Sequence, residues 1–231
     1  MTNQFDVGDS VIVKGRYRDA YIGVNLQGYQ GRVAGYYTNP KDKIELEVDW
    51  DSTTLNSLPF KYLQQCARRQ EPWEKGFLPP PKVEIVAERD KLTDVEQTRK
   101  LIRVRYRWID DFGKSGERIF QVVQGKHTEK QEYAAWLDYL NETLKFPFGA
   151  SVDYIDEIDD PELMYRYDAP DDEEDIRVLG LVKEPDYVFG LIAEISYQGK
   201  QYEFPLCNLE MGWLQPRRKY LEDYRNWFVS R

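Results

Sequence analysis

The residues with the most chemistry in this 231-residue chain are the carboxylates between Ser151 and Asp175. Twelve fall there: Asp153, Asp156, Glu157, Asp159, Asp160, Glu162, Asp168, Asp171, Asp172, Glu173, Glu174 and Asp175, beside one base, Arg166. Without that stretch the chain would hold 31 bases and 29 acids, so the formal charge of −9 is a local feature. Hard divalent cations take oxygen ligands, and Ca²⁺ gathers about 6–8 of them. Carboxylates at this density repel one another unless cations bind or water solvates them fully. In "YDAPDDEED" Pro170 turns the chain, so that Asp168, Asp171 and Asp172 can converge, with Glu173 and Glu174 next to them. In "DYIDEIDDPE" Asp153, Asp156, Glu157, Asp159 and Asp160 are interleaved with Val152, Tyr154, Ile155 and Ile158, which can anchor the segment. These ten carboxylates are the candidate metal ligands. The spacing of an EF-hand loop occurs nowhere in the chain. Composition alone leaves a second reading open, a solvated acidic loop that aids solubility.

Other chemistry has little to work with. His127 is the one histidine, and Cys66 and Cys207 form no CxxC, which argues against a Cys/His zinc site. No nucleophile motif, P-loop or GxGxxG fingerprint is present, so no enzyme is expected. The glycines of "GYQGRVAG" lie between strand-like segments and read as turns or a sharply bent strand. Arg217, Arg218 and Lys219 form a short basic patch, expected to pair with Glu222 and Asp223 or with the acidic stretch. Residues 1–100 hold 15 bases and 15 acids, which lacks the basic footprint of a nucleic-acid binder. No run approaches the roughly 18 apolar residues of a membrane span, and Met1–Ser10 lacks a basic start and an apolar stretch. A cytoplasmic protein that binds neither nucleic acid nor membrane is expected.

The elements that must position these residues begin with short strands. "DSVIVKGRY" and "KIELEVDW" alternate apolar and polar residues, as half-buried strands do. Pro59 is expected to close a strand and Leu63 to begin the last one, giving five strands within the first 65 residues. Tyr17, Tyr21, Tyr29, Tyr36, Tyr37, Trp50 and Tyr62, with Lys14, Arg16, Arg18 and Arg32, offer an aromatic face for a Pro-rich protein partner. "FLPPPK" is itself a candidate occupant. The competing reading makes these tyrosines core and ordinary sheet surface. "VEIVAERD" reads as a strand. Thr93 with Glu96 makes a capping box ahead of Val95, Ile102, Tyr106 and Ile109 at helical spacing. "IRVRYRW" also alternates with period two, and the cap decides for helix. The clearest helix runs from Thr128 to about Lys145, with Tyr133, Trp136, Leu137, Leu140 and Leu144 in one stripe and Pro147 beyond it. "DIRVLGLV" and "YVFGLIAEISYQGKQYEFPLCNLEM", with a turn at Gln198-Gly199-Lys200, repeat the strand-rich order of the N-terminus. Pro59–Leu63 and Pro205–Leu209 are both Pro-x-x-x-Leu after an apolar strand, which supports two barrels of one type.

One stretch carries a resemblance. "EYAAWLDYLNETLKFPFGA", an amphipathic helix leading into Phe-Pro-Phe, then an acidic run and a "VLGL" strand, resembles the small acidic CcbP-type calcium-binding proteins of cyanobacteria and other bacteria. The matching residues are Trp136, Leu140, Leu144, Phe146, Pro147 and Phe148, and the resemblance spans about 128–209. It implies an SH3-like barrel that binds Ca²⁺ through surface carboxylates rather than an EF-hand. Individual ligands within the acidic run are assigned by composition. The expected architecture is α+β, mainly β with α, in three parts. These are an SH3-like barrel over 1–70, a Pro-rich boundary and helical middle over 71–127, and a helix with an acidic calcium-binding barrel over 128–231. The alternative is a tandem-barrel module that binds protein partners and carries a solvated acidic loop.

Overall fold

Apolar residues at every second position of Ile44–Trp50 place Leu46, Val48 and Trp50 in a core and leave Glu45, Glu47 and Asp49 on the other face. That strand is β3 of the first of two units, Met1–Gly113 and Lys114–Arg231. The computed structural model describes residues 5–20, 22–153 and 175–231. In the first unit β1 (Ser10–Val13), β2 (Gln30–Thr38), β3, β4 (Lys75–Leu78) and β5 (Val83–Ile85) form one antiparallel sheet in the order β4-β3-β2-β1-β5. Helices α1 (Ser52–Asn56) and α2 (Phe60–Arg69) lie between β3 and β4, and α3 (Leu92–Phe112) follows β5. Asp51 caps α1 by accepting from the Thr54 N–H at 2.7 Å. Its carboxylate also receives two hydrogen bonds from Arg89, at 2.5 and 2.9 Å.

Several expectations for this unit change. Pro59 does not close a strand; it precedes Phe60 as the cap of α2, where its fixed φ suits a helix start. The last two strands come instead from the Pro-rich stretch. Lys75–Leu78 pairs with β3, and Pro80–Lys82 form a single 3-10 turn that delivers Val83 to β1. "FLPPPK" is therefore sheet and turn rather than the occupant of a groove. Trp50 and Tyr62 are buried and joined by a 3.1 Å hydrogen bond, and Tyr17 and Tyr29 pack on the same core. Arg32 is held by Asp90 at 2.7 Å. Tyr36 and Tyr37 stay exposed, while Tyr21 lies outside the described residues. The cap of α3 is Lys91, two residues before the expected Thr93, with the Lys91 N–H donating to Asp94 at 3.0 Å.

The second unit has α4 (Lys114–Val123) and α5 (Glu129–Thr143) ahead of its sheet. Its strands are β6 (Phe148–Val152), β7 (Asp175–Leu181), β8 (Ile192–Tyr197), β9 (Lys200–Pro205) and β10 (Leu209–Glu210), followed by α6 (Arg218–Val229). They run antiparallel in the order β10-β6-β7-β8-β9, the order of the first sheet. The likeness extends to register. Arg32-Val33-Ala34-Gly35 in β2 and Arg177-Val178-Leu179-Gly180 in β7 each carry a bulge between the valine and the glycine. Val33 pairs with Val48 and Val178 with Ile195; Gly35 pairs with Glu47 and Gly180 with Glu194. A proline and a 3-10 turn lead into the last strand in both, Pro79–Lys82 before Val83 and Pro205–Asn208 before Leu209. The echo of Pro205–Leu209 is thus Pro79–Val83, and Pro59–Leu63 belongs to a helix. Gln198 and Gly199, both at positive φ, make the expected turn between β8 and β9. Thr128 caps α5 as expected, accepting from the Gln131 N–H at 3.3 Å, and the Phe146–Pro147 peptide is cis. Among the described residues no helix is long and apolar enough to cross a membrane.

Gly31 marks where β2 and β3 come closest. A Cβ there would run into the Asp49 carbonyl and sit 2.9 Å from Val48 Cγ1. Gly31→Ala is expected to destabilise the protein by about 3 kcal/mol, because the obstructing atom is backbone and cannot swing away. Urea unfolding of the purified variant measures this.

Candidate metal centre

The acidic stretch connects β6 to β7, so the ladder between these strands fixes both of its ends. Ala150 pairs with Ile176 and Ser151 with Asp175. On its other side β6 is paired with β10, Val152 opposite Leu209 and Ser151 opposite Glu210. Asp153, the first carboxylate after β6, donates its N–H to Asn208 O at 2.9 Å. Its side chain accepts from Arg225 of α6 at 2.7 Å. Asp153 is therefore already engaged by a guanidinium. The other nine candidate ligands, Asp156, Glu157, Asp159, Asp160, Asp168, Asp171, Asp172, Glu173 and Glu174, lie outside the described residues. Among the described residues no three His, Cys, Asp or Glu side chains converge as metal ligands.

Helix α6 was not anticipated, although Leu221, Tyr224, Trp227 and Phe228 recur at helical spacing. These residues, all buried, pack with Tyr133 and Trp136 of α5. Trp136 lies 5.6 Å from both Tyr224 and Trp227, ring centre to ring centre. The Tyr224 hydroxyl accepts the Leu191 N–H at 2.6 Å. The basic patch at its start is only partly as expected. Arg218 pairs with Glu222 at 2.5 Å and with Glu210 at 2.7 Å. Asp223 turns inward, fully buried, to a fork from Arg118 of α4 at 2.5 and 2.8 Å and to the Ser115 hydroxyl at 2.6 Å. This carboxylate anchors α6, and thereby Arg225, to α4. Its partner was hidden because Arg118 is 105 residues away in sequence.

The donor chemistry fits a hard cation. Cys207 is buried with its thiol against Phe189 O, and burial pushes that thiol up to about 12, so it rests neutral. Cys66, in the other unit, is likewise buried and pushed up to about 12. His127 is exposed just before α5, where its backbone N–H donates to the Gln131 side chain at 2.9 Å. What the segment offers is carboxylate oxygen, the donor Ca²⁺ prefers.

Residues 117–228 match the family model described as calcium binding of CcbP type. The C-terminal region belongs to the CcbP-type calcium-binding family. Its span is wider than the 128–209 expected from sequence, because most of α4 and most of α6 lie inside the CcbP-type region. The crystal structure of Anabaena CcbP is 16% identical, over 62% of this chain and 94% of that chain, with a TM-score of 0.38. No curated protein matches the chain.

Burial raises the Asp223 pKa, while Arg118 and Ser115 oppose the rise. A carboxyl raised in the folded state contributes most below the ordinary carboxylate range, and that contribution is lost as pH rises through the raised value. Arg118→Met leaves the charge buried without its fork and should cost about 3–5 kcal/mol at pH 8. The cost should shrink toward pH 5, where protonation removes the buried charge. Urea unfolding of wild type and variant at both pH values checks the sign.

Proposed function

We propose that this protein binds Ca²⁺ through the carboxylates of the β6–β7 connection, in a unit with an SH3-like fold and without an EF-hand. The observation that carries this reading is placement. The chain's excess negative charge sits in one connection between paired strands, within the region that belongs to a calcium-binding family. The SH3-like reading is supported by the strand order last-first-second-third-fourth, the bulged second strand and the 3-10 turn before the last strand, features common to both units. The first unit is accordingly a second SH3-like module, and a protein partner for it is part of the proposal.

The chemistry follows from charge. Carboxylates confined between fixed strand ends repel one another, and a divalent cation bound among them turns that repulsion into coordination. The proposed ligands are drawn from Asp156, Glu157, Asp159, Asp160, Asp168, Asp171, Asp172, Glu173 and Glu174, with Asp153 held at the edge by Arg225. A site at the surface keeps several waters, which suits a buffer or sensor of moderate affinity. We read the protein as a binding protein rather than an enzyme. Two free buried thiols, Cys66 and Cys207, agree with a reducing cytoplasm.

Calorimetric titration of chelator-stripped protein with Ca²⁺ should show saturable binding that survives millimolar Mg²⁺. Ca²⁺ at about 100 times its Kd should stabilise the fold by about 2.7 kcal/mol, visible as a higher melting midpoint. Changing Asp168, Asp171 and Asp172 together to Asn should weaken binding at least tenfold or so, given the number of ligands removed. A flat wild-type titration overturns the function; unchanged binding by the triple variant overturns the ligand set alone.

A further inference from the structure

Arg225 supplies the acidic stretch with a base from elsewhere in the chain. Between Ser151 and Asp175 the sequence sets twelve carboxylates against one base, Arg166. Arg225 lies 72 residues beyond Asp153 and reaches it through the fold, its Nη2 donating to the carboxylate at 2.7 Å and to the main-chain oxygen at 3.4 Å. The guanidinium side chain is 17% exposed and the carboxylate side chain 48%. The Asp153 N–H is engaged as well, donating to Asn208 O at 2.9 Å. Asp153 is therefore held by backbone and side chain at the point where the acidic stretch leaves β6.

The guanidinium is fixed in its turn. Its neighbours on α6 are each pinned: Asp223 to Arg118 and Ser115, Tyr224 to the Leu191 N–H, and Asn226 to the Ser115 hydroxyl at 3.3 Å. A positive charge is thus built into the frame at the root of a run of negative ones. Asp156 and Glu157 follow Asp153 by three and four residues, at most about 11 and 14 Å of extended chain. Over such distances a guanidinium acts on any cation those carboxylates bind. A unit charge about 10 Å from a divalent ion in water changes its affinity roughly fourfold when salt is low.

We infer that Arg225 is the stand-in cation of the calcium-free protein, neutralising Asp153 when no metal is bound and opposing Ca²⁺ when it binds. This rests on the calcium reading proposed above. The guanidinium keeps the root of the stretch together without metal, and the affinity for Ca²⁺ is lower than the carboxylates alone would give. Control of affinity then lies in α6, outside the acidic stretch.

Calorimetric titration of the chelator-stripped full chain at low salt tests this with three variants. Arg225→Gln keeps a hydrogen-bond donor and removes the charge. It should bind Ca²⁺ about fourfold more tightly than wild type, while its melting midpoint in chelator falls. The opposed signs matter, because a variant that merely loosened α6 would lower both. Arg225→Lys keeps the charge and should bind as the wild type does. Asp153→Asn leaves the guanidinium uncompensated and α6 unaltered, and should bind about fourfold more weakly. A Gln variant that binds no more tightly than wild type overturns the inference, and so does a Lys variant that gains as much. An Asn variant with undiminished affinity overturns it too. In each of these cases the wild type still binds, so the calcium reading stands; a wild type that does not bind Ca²⁺ ends both.

Discussion

Backbone pairing at the base of the β6–β7 connection is the constraint on which the second unit's chemistry rests. Ser151 opposite Asp175 holds together the two ends of a segment whose like charges push apart. The ladder tolerates that repulsion because its own strands are anchored elsewhere, to β10 on one side and β8 on the other. Arg225 adds a cation where the segment leaves β6, and it is held there by α6. That helix is in turn fixed by an aromatic cluster and by the buried pairing of Asp223 with Arg118. The strands that bound the acidic segment thus belong to a frame that reaches back to the start of the unit.

The same frame appears twice in the chain. Both sheets share strand order, register through the bulged second strand, and the turn before the last strand. What differs is the cargo of the first connection. Between β1 and β2 the first unit carries Lys14, Arg16 and Arg18 beside Asp19. Asp19 accepts from the Ile22 N–H at 2.6 Å, and Arg18 donates to Gly23 O at 2.8 Å. Between β6 and β7 the second unit carries a run of acids. A shared architecture therefore says where a site can be, and the residues of the connection say what it can hold.

Much of this was legible from residue patterns. Alternation located β1 and β3, and the Thr128 cap with its stripe located α5, because local rules and tertiary packing agree there. The Phe-Pro-Phe segment pointed to the family, and the charge count pointed to the segment. The failures have physical causes. Pro59 has the same fixed φ at a strand end and at a helix start, so its role depended on what followed. Three prolines in a row looked like a boundary, yet a single 3-10 turn let flanking residues form two edge strands. Asp223 looked like surface charge beside Arg218, and only packing revealed that it faces Arg118.

By itself the sequence determined that carboxylates are concentrated in one stretch, that soft ligands are scarce, and that a strand-rich order occurs twice. These are properties of composition and of local periodicity. The tertiary structure decided which strands neighbour one another, that the acidic stretch joins two paired strands, and that Trp50 and Tyr62 belong to a core rather than a binding face. It also decided that Arg225 meets Asp153. Each of those depends on contacts between residues far apart in the chain, where local pattern carries no record of the partner.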